Sequence, residues 1–120
     1  MEPIAIHHVS VNVSDLDRAL AFYTGTLGGT VREDRPNFSF EGAWINLGTQ
    51  QVHLIQASVP PNLGQHFAVQ VGDLAAVVEE LRSTGLELGD PVRVGSDLQT
   101  FVNDPDDNVI ELHEVGNTAR

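Results

Sequence analysis

Three histidines and one glutamate occupy matched places in a pattern that the chain contains twice: His8, His53, His66 and Glu111. Each is a polar residue within a segment typical of a β-strand, so its side chain must face solvent, a partner or a cavity. Three neutral imidazoles and one carboxylate suit a divalent transition metal such as Zn, Ni, Co, Fe or Mn. An ion with open coordination positions would act as a Lewis acid on the oxygen of a small-molecule ligand.

The repeat that relates these residues has an offset of 58 positions. At this offset the segment 8–16 matches the segment 66–74, with a histidine, two valines, an aspartate and a leucine in the same order. The same offset lays Val52-His53-Leu54 on Ile110-Glu111-Leu112 without a gap. The match predicts two copies of one supersecondary unit.

We expect the two units at about 1–57 and 64–115, within one domain of residues 1–120. A linker rich in Pro and Gly joins them at 57–64. If the units pack about a pseudo-two-fold axis, the four polar side chains converge on one point. The alternative is four ordinary strand residues with hydrogen-bonded histidines, and the shared offset and strand phase favour the metal site.

Strands and helices that could hold these residues follow from the apolar spacing. Alternating residues predict a first strand from Ile4 to Val13 and, in the second copy, from His66 to Val71. An apolar stripe at helical spacing follows each strand, with Ser14 as the first N-cap. The stripes are Leu16, Ala19, Leu20 and Tyr23, then Leu74, Val77, Val78 and Leu81, and the helices end at Gly25 and Gly28, then Gly85. Extended segments follow at about 29–35, 39–47 and 50–57, then 86–94, 97–104 and 108–115. The predicted unit is βαβββ, used twice, in the α+β class.

Composition narrows the possible partners. The chain has 120 residues, no cysteine and a formal net charge of -11, and its six basic residues are all arginine. This balance disfavours nucleic acid and anionic membranes and favours a cationic ligand or a metal ion. Without an apolar run of about 18 residues or a secretory signal pattern, we expect a cytoplasmic protein.

Other residues on the predicted strands could line a pocket beside the four candidate ligands. We expect the substrate to contact Ser10, Asn12, Phe40, Trp44, Gln70, Phe101 and His113. Phe38 would belong to the same apolar wall. By alternation His7 points to the valine side in a structural role, and Glu114 is expected to be solvated. The glycines after the first helix do not precede a helix, so they do not form a phosphate-binding loop.

The chain resembles the vicinal-oxygen-chelate superfamily, which includes glyoxalase I, bleomycin-resistance proteins, extradiol dioxygenases, fosfomycin-resistance proteins and methylmalonyl-CoA epimerase. The segments that carry the resemblance are IHHVSVNVSDLDRALAFYTGTLGG, QQVHLIQ, HFAVQVGDL and DPDDNVIELHE. It implies paired βαβββ units in an incomplete barrel-like mixed sheet around a metal. The family's four ligand positions match His8, His53, His66 and Glu111. It also implies a homodimer, in which each site can draw ligands from both chains.

The chain departs from the family at three positions. His53 stands where glyoxalase I has a glutamate and the epimerases often have a glutamine. The DPDG turn of the family is DPDD here, with Asp107 in place of glycine. Asn12 stands where glutathione-dependent members can carry arginine, and with the net charge this argues against an anionic glutathione adduct.

The resemblance favours a metal-dependent lyase or isomerase of the glyoxalase type. Glu111 would be both a ligand and the catalytic base, with His53 as the alternative base. A second possibility is a drug- or metabolite-binding protein of the bleomycin-resistance type. An extradiol dioxygenase ranks lower, because a fourth ligand at His53 would crowd the open positions that Fe(II) needs.

Overall fold

Each half of the chain folds as a strand, a helix and three further strands, in the order that the repeat predicts. The computed structural model describes residues 1–116, which form two units. The first unit comprises Met1–Pro61 together with Asp104–Asp106, and the second comprises Asn62–Asn103 and, among the described residues, 107–116. The predicted α+β class with βαβββ used twice is confirmed.

The first unit contains one four-stranded mixed sheet. Its elements are β1 (His8–Val13), α1 (Leu16–Leu20) with a π-helical continuation (Ala21–Thr26), β2 (Thr30–Val31), β3 (Gly42–Leu47) and β4 (Gln50–Gln56). The strand order is β1-β4-β3-β2, and β1 runs parallel to β4 while the other neighbours are antiparallel. The first and last strands of the unit are therefore neighbours.

The second unit repeats this topology. Its elements are β5 (His66–Gln70), α2 (Leu74–Ser83), β6 (Val92–Val94), β7 (Asp97–Asn103) and β8 (Val109–Glu114). The order is β5-β8-β7-β6, again with the first and last strands parallel. In both units this pairing brings together residues that lie 45 positions apart in the chain, such as His66 and Glu111.

Apolar residues of strands and helix form the core of each unit. In the first unit the buried side chains are Val13, Ala19, Phe22, Tyr23, Ala43, Ile45, Val52 and Leu54, and in the second they are Leu74, Val78, Leu81, Val102, Ile110 and Leu112. Strand side chains alternate between two faces, so covering one face of each sheet with apolar residues leaves the opposite face for polar ones. His8, His66 and Glu111 lie on this opposite face.

The start of the first helix differs from the prediction. Asp15, not Ser14, is the N-cap, and its side chain accepts a hydrogen bond from the Arg18 amide at 3.1 Å. Ser14 instead donates through its amide and its hydroxyl to Asp106, 92 positions away in the chain. Because this long-range contact occupies Ser14, the neighbouring aspartate satisfies the helix terminus.

The helix ends are partly as predicted. Gly28 and Gly85 have φ angles of +76° and +96°, the left-handed conformation that commonly follows a helix. Gly25 does not end the first helix, because it lies inside the π-helical continuation. Asp73 caps α2 by accepting from the Ala76 amide at 3.1 Å, as Asp15 does in the first unit.

Several strands are shorter than predicted. The expected strand from Ile4 begins only at His8, where pairing with Gln51 of β4 starts. The expected strands 29–35 and 86–94 shrink to β2 and β6, and β3 starts three residues after the expected 39. Alternation alone does not extend a strand past the end of its neighbour. Within residues 1–116, no helix has the length and apolar character needed to cross a membrane.

Candidate metal centre

Two of the four predicted ligands meet in the first unit. His53 on β4 is the register partner of Ser10, so His8 lies two residues away on the same face of β1. The imidazole rings of His8 and His53 are stacked, with centroids 3.9 Å apart and an interplanar angle of 13°. The in-plane lone pairs of two nearly parallel rings lie in separate, nearly parallel planes, so shared coordination of one ion requires at least one ring to rotate.

The environment of His53 favours its neutral form. Its residue is 9% exposed, and burial lowers its pKa, with the neighbouring His8 and the nearby His7, Arg32 and Arg35 adding to the shift. Its Nε2 atom lies 2.9 Å from the Gln51 side-chain oxygen, which acts as an acceptor. A neutral imidazole with one nitrogen engaged and one carrying a lone pair is the form that binds a metal.

The other two predicted ligands meet in the second unit. Nε2 of His66 lies 3.1 Å from Oε1 of Glu111, and Nδ1 of His66 lies 3.0 Å from the Gly64 carbonyl. A carbonyl oxygen only accepts hydrogen bonds, so Nδ1 of His66 carries a proton. The contact with Gly64, and to a smaller extent the contact with Glu111, raises the pKa of His66. When His66 is neutral, the lone pair of Nε2 faces the carboxylate oxygen. Two acceptors facing each other need a proton or a cation between them, so this pair fits a divalent ion.

The second oxygen of Glu111 belongs to a further set of hydrogen bonds. Oε2 lies 2.6 Å from Nδ1 of His113, and Nε2 of His113 lies 2.7 Å from Oδ2 of Asp97. Asp97 also accepts from the Gly116 amide at 2.7 Å. The contact with Asp97, followed in size by that with Glu111, raises the pKa of His113. The hydrogen bond from the Gly116 amide, followed in size by that from His113, lowers the pKa of Asp97. Sequence reasoning missed Asp97, although strand alternation from Phe101 through Gln99 assigns it to the same face of β7.

Aromatic residues lie directly beside the candidate ligands. Trp44 is the register partner of His53, and Phe101 is the register partner of Glu111. The rings of Trp44 and His53 stack with centroids 4.5 Å apart, while Phe101 contacts His66 edge to face at 5.5 Å. The two units therefore hold an aromatic side chain in the same relation to the last-strand ligand.

Phe38 and Phe40 extend the aromatic surface next to Trp44. Their rings stack 5.1 Å apart, Phe38 lies 6.3 Å from Trp44, and they remain 41% and 45% exposed. The Arg35 guanidinium lies over both phenyl rings, 4.9 and 5.4 Å from their centroids. We refer to Phe38, Phe40 and Trp44 as the aromatic panel.

The remaining predicted pocket residues lie on the same strand faces as the ligands. Ser10 is opposite His53, and Gln70 is opposite His113. Asn12 donates from Nδ2 to the Ser58 carbonyl at 2.9 Å. Among residues 1–116, no three histidine or acidic side chains are grouped so as to hold an ion. Each unit therefore presents one ligand pair, and the four-residue site stays a prediction.

Two weaker predictions are wrong. His7 precedes β1 and is exposed instead of facing the valines, with its Nδ1 2.8 Å from Nδ1 of His8. Glu114 is not simply solvated, because its Oε1 accepts from the Leu74 amide at the start of α2, at 2.8 Å. Gln56, its equivalent at the offset of 58, accepts from the Leu16 amide at 2.9 Å.

Comparisons with known proteins agree with this architecture. A family model described as Glyoxalase/Bleomycin resistance protein/Dioxygenase superfamily matches residues 5–112. A lactoylglutathione lyase from Salmonella typhimurium is 30% identical, over 94% of this chain and 94% of its own length. Two plant relatives, from Arabidopsis thaliana and Brassica oleracea, are 29% and 32% identical over 92% of this chain. The chain spans only 36% and 44% of their lengths.

Solved structures share the fold. A protein assigned to the glyoxalase family, from Bacillus anthracis, superposes with a TM-score of 0.82 at 26% identity, over 95% of this chain and 97% of its own. The fosfomycin resistance protein FosX from Listeria monocytogenes gives a TM-score of 0.81 at 18% identity, over 98% and 95% of the two chains. That structure contains Mn(II) and 1S,2S-dihydroxypropylphosphonic acid.

Proposed function

Because the chain belongs to the Glyoxalase/Bleomycin resistance protein/Dioxygenase superfamily, we propose that it is a metal-dependent lyase or isomerase of the glyoxalase type. Its substrate would be a small molecule with two neighbouring oxygens. The observation that carries this proposal is the His66–Glu111 pair, in which a ring nitrogen and a carboxylate oxygen face each other at 3.1 Å. The name of the Salmonella relative, lactoylglutathione lyase, supports the same class of reaction.

The ligands we propose are His8, His53, His66 and Glu111. A bound divalent ion would supply Lewis-acid stabilisation of negative charge on the substrate oxygens. Each unit contributes one imidazole from its first strand and one ligand from its last strand. We propose that a homodimer assembles, and that the pair of one unit is completed by the pair of the other, within one chain or between two. Zn, Ni, Co, Fe and Mn all remain candidates for the ion.

Glu111 is the proposed base. Its carboxylate would remove a proton from a substrate carbon beside a carbonyl and return it to the neighbouring carbon. The hydrogen bond that Oε2 receives from His113 would hold the carboxylate in place through both steps. His53, which burial keeps neutral, is the alternative proton acceptor.

The residues around His53 bear on whether the substrate carries a positive or a negative charge. The chain carries a net charge of -11, yet Arg32 and Arg35 act on His53 as positive neighbours. The local field beside the first ligand pair is therefore more positive than the whole-chain charge suggests. An anionic group on the substrate is compatible with this half of the proposed site.

A binding protein without turnover is the second candidate function. The observation that favours it is the aromatic panel, whose Phe38 and Phe40 expose stacked rings beside Arg35. Such a surface can hold a planar drug or metabolite by stacking, which requires no catalytic base. In that case ligand affinity would not depend on the metal.

Elemental analysis of protein purified without chelator tests the metal site. We expect roughly stoichiometric metal in the wild type, and its loss in His8→Ala and Glu111→Ala. The matched control is Glu80→Ala, an exposed glutamate on α2. A metal-free wild type, or equal metal content in all variants, would contradict the proposal.

Substrate tests then separate the functions. The metal-loaded protein is assayed with methylglyoxal plus glutathione, with catechols and with bleomycin. Turnover of the first mixture supports the lyase, and ring opening of a catechol supports the dioxygenase. Tight bleomycin binding without turnover, unchanged after metal removal, supports the binding protein. Light scattering after gel filtration measures whether the chain is the expected homodimer.

A further inference from the structure

The carboxylate of Glu111 is held from the side opposite His66. Its Oε2 atom is 2.6 Å from Nδ1 of His113, whose Nε2 atom is in turn 2.7 Å from Asp97. Asp97 is anchored to the backbone through the Gly116 amide at 2.7 Å. The Glu111 side chain is only 12% exposed.

Donor and acceptor roles in this set follow from its chemistry. Ionised carboxylates only accept hydrogen bonds, so His113 donates to Glu111 through Nδ1 and to Asp97 through Nε2. The donor at Oε2 leaves Oε1 as the oxygen that faces His66. Glu111 is thereby held with one oxygen bound to protein and the other directed to the proposed metal ligand beside it.

The fold itself does not require this arrangement. Glu111 and His113 share a face because they lie two residues apart on β8, and Gln99 and Phe101 are their partners on β7. At the offset of 58, the residue of the first unit that corresponds to His113 is Ile55. The first unit forms the same sheet with an apolar residue there, beside an imidazole ligand. The pair of His113 and Asp97 accompanies only the carboxylate ligand.

We propose that His113, anchored by Asp97, is a positioning residue that presents Oε1 of Glu111 alone to the metal. This inference rests on the proposed function, because it assumes that Glu111 is a ligand. Partners of this kind orient a ligand and restrict it to one geometry, so their loss weakens metal binding without removing a ligand.

Two substitutions at one position test the proposal. In His113→Asn the side-chain nitrogen lies near the place of Nδ1 and can still donate to Glu111. In His113→Gln it lies near the place of Nε2 and can reach Asp97 but not Glu111. Co²⁺ is titrated into the metal-free wild type and both variants, with the visible absorption spectrum as the readout. Thermal unfolding of each metal-free protein checks that it is folded.

We expect His113→Gln to weaken Co²⁺ binding by about 10–100-fold and His113→Asn to stay within about threefold of the wild type. The visible spectrum should change only in His113→Gln, because Oε2 becomes available to the ion. A purely structural role would affect both variants equally, so equal Co²⁺ affinities in the two would overturn this inference alone. A wild type that binds no Co²⁺ would overturn the proposed function and this inference together.

Discussion

The imidazole of His53 lies flat against the indole of Trp44, with centroids 4.5 Å apart and an interplanar angle of 10°. Backbone pairing fixes this contact, because the two residues are register partners on β4 and β3. His8, on the other strand next to β4, stacks on His53 with ring centroids 3.9 Å apart. Trp44 is the only tryptophan in the chain, so its fluorescence reports on this pair of proposed ligands.

We expect Co²⁺ or Ni²⁺ to quench the fluorescence of Trp44, because a paramagnetic ion at His53 would lie within a few ångströms of the indole. The measurement is a titration of emission intensity in the wild type, with Glu80→Ala, an exposed site on α2, as the control. The quench should be lost in His8→Ala and in His53→Ala. If it persists in both variants, the ion binds elsewhere.

Tyr23 should resist ionisation until the protein unfolds at alkaline pH. It is fully buried and donates to Asp104 at 2.9 Å, and burial, followed by the charge of Asp104, raises its pKa far above the ordinary value. A raised folded pKa gives stability that is complete below the unfolded pKa of about 10 and is lost above it, by about 1.4 kcal/mol per pH unit.

This prediction can be measured directly, because Tyr23 is the only tyrosine and the chain has no lysine or cysteine. The phenolate absorbance near 295 nm should appear together with loss of the folded circular dichroism signal. An absorbance rise around pH 10 in protein that is still folded would show that Tyr23 ionises in the native state.

Removal of the Tyr23 hydroxyl should destabilise the first unit. Tyr23→Phe deletes a hydrogen bond to the buried carboxylate of Asp104, which is 3% exposed, and we expect a loss of about 1–3 kcal/mol in the free energy of unfolding. Urea denaturation measures it. Asp104→Asn should cost at least as much, because both carboxylate oxygens accept hydrogen bonds, one from Tyr23 and one from the Asp106 amide, and asparagine keeps only one acceptor oxygen. A Tyr23→Phe variant as stable as the wild type would argue against this account.

Glu114 should contribute to stability as a helix cap from a distant strand. Its carboxylate accepts from the Leu74 amide at the positive end of α2, so Glu114→Ala should cost about 0.5–2 kcal/mol. Glu114→Gln keeps the acceptor and should retain most of this stability. Glu79→Ala, on the exposed side of the same helix, is the control and should change the unfolding free energy little.

Asp107 occupies a backbone conformation that suits glycine. Its φ angle is +63°, and it is the only non-glycine residue with positive φ among residues 1–116. Asp107→Gly should therefore raise the unfolding free energy by up to about 1 kcal/mol, while Asp107→Ala should lower it by a similar amount. Thermal denaturation compares the three proteins, and an alanine variant as stable as the glycine variant would refute this account.

The sequence predicts the order of elements because the pattern of polar and apolar residues in the first unit recurs in the second at an offset of 58 residues. The strand order is not predicted in this way, since the parallel pairing of the first and last strands, which makes His8 and His53 neighbours, is seen only in the structure. The caps at Gln56 and Glu114 could have been found in the same way, because they are equivalent at that offset.

Other features depend on contacts that local patterns do not encode. Ser14 has the right chemistry for an N-cap, yet its amide and hydroxyl donate hydrogen bonds to Asp106 and its side chain does not cap the helix. No residue spacing in the first helix signals its π-helical continuation. The alternation from Ile4 to His7 matches a strand, yet pairing with β4 begins only at His8.

The pairing of first with last strands also dictates when each ligand pair can arise during synthesis. His8 leaves the ribosome 45 residues before His53, and His66 precedes Glu111 by the same interval. Until the closing strand has emerged and docked, the early histidine has no partner. Capture of an ion would then be a late event in biogenesis, and truncated translation products would compete poorly for the cell's metal supply.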